Sequence, residues 1–171
     1  MSTIMKRYEK EFVNTIKEFY GIDIKLEKCI LGFNGVMYLT PENFDGVIYY
    51  NSTAMNVESF FKQLSKAYKT DIETVVKSCA IHEGRHIWQR LNNIETENSF
   101  DNGVYDEKQA MLNLAEQDAY EVQRKYLKGK LKDATADTKF SRTLKGNDNI
   151  IDKLLVKMTL GSVKLVNKIN K

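Results

Sequence analysis

Apolar side chains recur every three or four residues at the start of the chain. Ile4, Tyr8, Phe12, Ile16 and Phe19 are separated by lysines and glutamates, and Gly21 follows. This spacing predicts an amphipathic helix over residues 3–19 with glycine as its stop signal. From Ile22 the period shortens to two: Ile22, Ile24 and Leu26 alternate with Asp23, Lys25 and Glu27, and Asn34-Gly35 then offers a tight turn into Val36-Met37-Tyr38-Leu39. Beyond Pro41 and Asp45-Gly46 lies Val47-Ile48-Tyr49-Tyr50. Short β-branched and aromatic runs bounded by turn residues predict a small antiparallel sheet of about three strands.

The rest of the chain carries the helical period. Val57, Phe60, Phe61, Leu64 and Tyr68 share one face. Thr70-Asp71-Ile72-Glu73 has the form of a capping box with Thr70 at the N-cap, so a helix begins near Asp71. It runs through Val75, Val76, Cys79, His82 and His86 to Leu91, where Asn92 and Asn93 end it. Asp106 with Gln109 marks another start, and Leu112, Ala115, Ala119, Val122 and Tyr126 give the buried face of a helix ending near Gly129. Residues 129–149 are polar and read as a loop or mobile segment. Residues 150–171 form a basic amphipathic helix, with Ile151, Leu154, Leu155, Met158, Leu165 and Ile169 turned to the core. The expected organisation is therefore an α+β, mainly helical domain over 1–128, the connecting segment 129–149, and the helix 150–171 packed on the same domain.

Composition narrows the class. Hydrophobic residues make up 42% of the 171 and there is a single proline, which excludes a disordered or collagen-like chain. No apolar run reaches the roughly 18 residues of a membrane span, and no apolar signal segment follows the first charges, so a cytoplasmic protein is expected. Cys29 and Cys79 are read as reduced. The net charge of +3 conceals an asymmetry: residues 122–171 carry 13 basic against 4 acidic groups, whereas the first 121 carry 13 against 19. A basic C-terminal region could dock on nucleic acid or an acidic partner. The aromatic residues that single-strand platforms interleave with such charge are sparse there, since only Tyr126 and Phe140 qualify, and this lowers the odds of nucleic acid.

The chain's two histidines, His82 and His86, lie four apart with Glu83 directly after the first. A reshuffled chain of this composition would repeat that pattern on the order of once in a thousand times. On a helix the two imidazoles project from one face, about one turn apart, and can converge on a single Zn²⁺. Glu83 sits about 100° round the helix, placed to accept a proton from a zinc-bound water. A third protein ligand is needed, and with no third histidine it must be a carboxylate or a cysteine. Cys79 would put three ligands in a straight row along one helix, which cannot wrap a tetrahedral ion. Glu116 is the best candidate: it stands mid-helix beside Leu112, Ala115 and Ala119, where an unpaired carboxylate is costly to bury. Asp118 and Glu121 compete with it. Asp118 is better cast as the acceptor for a ligating imidazole N–H.

The combination His82-Glu83-x-x-His86, then Asn113-x-x-Glu116-x-x-Ala119, resembles the gluzincin metallopeptidases. It is also similar to small zincin-like proteins of bacteriophages and mobile elements and, more distantly, to ImmA/IrrE-type peptidases that cut transcriptional repressors. The resemblance spans about fifty residues, Val75 to Val122. It implies a zincin-like fold, one Zn²⁺ per chain, and hydrolysis of a peptide or protein substrate by a water that Glu83 activates. It further implies a strand at the sheet edge on which extended substrate pairs, matched here by Val47, Ile48, Tyr49 and Tyr50. Large gluzincins steady the oxyanion with an extra histidine or tyrosine; this chain has no spare histidine, which leaves Tyr120, Tyr105 or Arg85. An alternative keeps the zinc as a structural clip in a non-catalytic module whose basic C-terminal region binds a protein or nucleic acid.

Overall fold

The computed structural model describes residues 3–29, 38–40, 44–51, 57–94, 114–146, 151 and 154–158. The elements, in chain order, are α1 (Thr3–Tyr20), β1 (Lys25–Cys29), β2 (Tyr38–Leu39), β3 (Val47–Asn51), α2 (Val57–Tyr68), α3 (Ile72–Leu91), α4 (Leu114–Leu127) and α5 (Lys139–Leu144). The molecule is α+β and mainly helical.

The three strands form one sheet in the order β1-β3-β2, with β1 parallel to β3 and β2 antiparallel to it. This corrects the expectation of an all-antiparallel sheet. Lys25, Glu27 and Lys28 of β1 are exposed, which suits a strand at the edge. Ile48 and Tyr50 of β3 are buried, so β3 takes the centre, where both rows of backbone groups are paired. The turn expected at Asn34-Gly35 lies outside the described residues.

Most of the core lies between α1, the sheet, α2 and α3. Phe12 and Ile16, Ile24, Ile48 and Tyr50, Phe61, and Val75, Val76, Cys79, Ala80 and Ile87 form one apolar cluster. A smaller cluster joins Ile81, Val122 and Ala134, with Phe19, Tyr20, Tyr126 and Leu131 packed on it. Helix α3 touches both clusters and is buried on several faces, because α1 covers one side and α4 another. Fully burying each Val, Ile or Phe of this set contributes about 1.5–3 kcal/mol.

Two local features fix α3. Its N-cap is Asp71, one residue later than the expected Thr70, and the Asp71 carboxylate accepts from Thr74 N and Thr74 Oγ1, both at 2.7 Å. Those two bonds hold the Asp71 carboxyl below its usual range. Glu73, expected to reach back to the cap, instead meets Arg7 and Lys77. Farther along, Gly84 lets α1 approach: a Cβ there would lie 2.4 Å from Tyr20 Cε2, and the Tyr20 hydroxyl donates to Ile81 O at 2.8 Å.

The segment expected as a loop is partly regular. Thr138 caps α5 through a reciprocal pair of bonds with Ser141, and Ala134, Thr138, Phe140 and Ser141 are buried. Residues 151 and 154–158 are helical, but the apolar residues among them expected to meet the core are turned out, and Leu165 and Ile169 lie outside the described residues. Ile151, Leu154 and Met158 are 60% or more exposed, Leu155 is 41% exposed, and Val156 is the buried residue. Among the described residues, no helix is long and apolar enough to cross a membrane.

Candidate metal centre

Helix α3 places His82 and His86 one turn apart, with their Nε2 atoms 3.2 Å from each other. Glu116, in the first turn of α4, reaches between them: Oε2 is 3.4 Å from His82 Nε2 and Oε1 is 3.2 Å from His86 Nε2. A tetrahedral ion with bonds of about 2.0–2.1 Å needs its donors about 3.3–3.4 Å apart. The two imidazole nitrogens are spaced as such donors are, each faces one oxygen of the Glu116 carboxylate, and one ligand atom from each of the three residues lies within 4.8 Å of the other two. The side chains of His82, His86 and Glu116 are 12%, 11% and 17% exposed, so the group is sheltered yet still open to solvent. These three residues could hold a metal ion.

The electrostatics agree with a cationic guest. Burial opposes charge on His86, but the adjacent Glu116 carboxylate, with Glu83 behind it, outweighs burial and pushes the imidazole up to about 9. Burial would raise Glu116, yet His86 and His82 hold its carboxyl well below the ordinary range. Two imidazole nitrogens and a carboxylate facing one another are thus compatible because a positive charge sits among them. A proton on His86 is one source of that charge, and a divalent ion could supply it instead.

Behind the donors lies a buried polar network. The Arg85 guanidinium forks onto Asp118, with Nε 2.7 Å from Oδ2 and Nη2 3.1 Å from Oδ1, and both side chains are fully buried. Arg85 also donates to Ala134 O at 2.8 Å and to Ser141 Oγ at 3.3 Å. Its guanidinium carbon stands 3.9 Å over the Trp88 ring. Asp118 further accepts from Thr138 Oγ1 and from Gln89 Nε2. One ion pair thereby ties α3, α4 and α5 together beside the site.

The expected site residues fall as follows. Glu83 is partly buried and its Oε2 accepts from Thr40 Oγ1 at 2.9 Å; Thr40 directly follows β2. Tyr120 packs its ring against the His82 imidazole, with centroids 4.6 Å apart. Tyr105 lies outside the described residues. Asp118 reaches His86 only through Gln89, since its oxygens bond Arg85, Thr138 and Gln89. The edge-strand assignment of Val47, Ile48, Tyr49 and Tyr50 is corrected: they form the central strand, because β1 and β2 pair with its two sides. Glu121 pairs with Lys125 at 3.0 Å and approaches Lys139, away from the donors. Cys79 is a core thiol that burial, and then Glu83, pushes up to about 12. Arg85 is committed to Asp118 and is not available to an oxyanion.

Sequence reading missed Thr40 and Gln89. Gln89 carried a signal, because it follows His86 by three residues and so shares its side of the helix. Nothing local to Thr40 announces its contact, which spans 43 residues.

Compared with known proteins, the chain matches no family model, no curated protein and no solved structure. What the structure defines by itself is a cluster of two imidazoles and one carboxylate, built on two packed helices, that could hold a metal ion.

Proposed function

We propose that this chain is a zinc-dependent peptidase of the gluzincin type, in which His82, His86 and Glu116 hold one Zn²⁺ and Glu83 is the general base. The observation that carries the reading is the convergence of His82, His86 and Glu116, with one ligand atom from each within 4.8 Å of the others and Glu83 on the same helix as the two histidines. Two imidazoles and a carboxylate accept several divalent ions, and zinc is favoured by the His-Glu-x-x-His pattern. Bound there, zinc would supply Lewis acidity, polarising a peptide carbonyl and easing deprotonation of a water.

The chain's own residues do the rest. Glu83, steadied at Oε2 by Thr40, takes the proton from the attacking water and returns it to the amine nitrogen as the C–N bond breaks. β2, an edge strand among the described residues, leads directly into Thr40 and offers backbone groups to an extended peptide. Tyr120, against His82, is the candidate to steady the oxyanion.

Zinc content by mass spectrometry, together with turnover of a quenched fluorescent peptide library, tests the reading. Wild type should hold about one zinc, His86→Ala should lose it, and Glu83→Gln should keep it while turnover falls by about 10²–10⁴-fold. Undiminished turnover by Glu83→Gln, or no zinc in wild type after reconstitution, would refute the proposal. Zinc without turnover of any peptide would leave the non-catalytic clip.

A further inference from the structure

Gln89 is fully buried on α3, three residues after His86, and its Oε1 lies 3.1 Å from His86 Nδ1. Its amide nitrogen is 2.7 Å from Asp118 Oδ2 and 3.0 Å from Ala115 O. A carboxylate and a carbonyl only accept, so the NH₂ end must face them and Oε1 must face the imidazole. The reverse orientation would set the amide oxygen against two acceptors at 2.7 and 3.0 Å, an unfavourable contact that leaves the buried amide oxygen without a donor. With Oε1 as the neighbour of Nδ1, that nitrogen must carry the proton and donate it. His86 Nε2, the atom turned toward Glu116 and His82, is then left to ligate.

From this we infer that Gln89 is the positioning residue of the centre: it reads its direction from Asp118 and fixes which nitrogen of His86 meets the metal. The inference rests on the reading of His82, His86 and Glu116 as metal ligands. Asp118 cannot turn, because the Arg85 fork and the Thr138 hydroxyl hold both of its oxygens. The direction thus passes from a fixed ion pair through a neutral amide to the imidazole, and no negative charge is placed on the ring itself. His82 has no matching device, since among the described residues its Nδ1 is buried without a hydrogen-bond partner and its ring rests on Tyr120. His86 is the ligand whose approach is set before the metal arrives.

The test uses zinc alone, without any peptide. Gln89→Met keeps the length of the side chain and removes the amide. Its zinc affinity, measured by competition with a chromophoric chelator, should fall by about ten- to a hundredfold. The proton spectrum of the zinc-loaded wild type should contain an exchange-protected imidazole N–H from His86, with a cross-relaxation contact to the Gln89 side-chain amide; this signal should vanish in Gln89→Met. A folded variant that binds zinc within twofold of wild type overturns the inference. So does a zinc-loaded wild type lacking that N–H, a result that does not depend on the variant folding. Both of these leave the metal centre standing, whereas a wild type that takes up no zinc removes the centre and the inference together.

Discussion

Metal uptake should release a proton from His86, with a pH dependence that an ordinary imidazole would not show. In the metal-free protein Glu116 and Glu83 push His86 up to about 9 against the opposing effect of burial. Its Nε2, 3.2 Å from Glu116 Oε1, therefore carries a proton at neutral pH, and zinc needs the lone pair beneath it. Affinity referred to the deprotonated imidazole is reduced by the protonated fraction. Between pH 7 and pH 8.5 the apparent zinc affinity should rise about 25-fold for a group titrating near 9, against about 1.3-fold for an imidazole at its unperturbed value. The sign is fixed by the direction of the shift: affinity grows as pH rises toward the raised value and levels off above it. The same shift makes the proton a stabiliser of the metal-free fold, fully present below about 6.5 and lost as pH rises through about 9. Competition titrations against a chelator of known pH dependence give the affinity, and calorimetry in two buffers of different ionisation enthalpy counts the protons. A change of less than twofold between pH 7 and 8.5, with no proton released, would refute the argument that Glu116 and His86 form a charged pair before the metal binds.

Two further outcomes follow from the packing. Arg85→Leu leaves the Asp118 carboxylate buried without its counter-ion and should cost about 3–5 kcal/mol, lowering the thermal midpoint by about 6–20 °C. Arg85→Leu combined with Asp118→Leu should recover part of that loss; an equally stable Arg85→Leu single variant would show that the ion pair does not hold the three helices together. Gly84→Ala should cost about 1–3 kcal/mol in urea unfolding, because its methyl group would lie 2.4 Å from the Tyr20 ring. Much of that cost should disappear on a Tyr20→Ala background, and a cost that persists there would place the strain elsewhere.

His82, Glu83 and His86 were legible from the chain because their relation is local. Four-residue spacing on a helix determines that two side chains share a face whatever packs around them. Glu116 was legible for a related reason, since a carboxylate on the apolar side of a helix must find a compensating charge. The limits of α1 and the course of α3 followed from the same short-range period. Sheet order was not fixed in this way. Alternation told that residues near 25 and 47 would be extended, but which strand took the centre depended on the burial of Ile48 and Tyr50 against the charges of β1. The core face expected for Ile151, Leu154, Leu155 and Met158 likewise gave way to the burial of Val156. Arg85, Gln89 and Thr40 owe their roles to partners 33, 29 and 43 residues distant. The chain by itself determined the chemistry of the donors, because helical spacing is an intrinsic property of the backbone. Only the tertiary structure decided how they are charged, aimed and held, because hydrogen-bond direction and desolvation depend on which distant groups are brought within 3 Å.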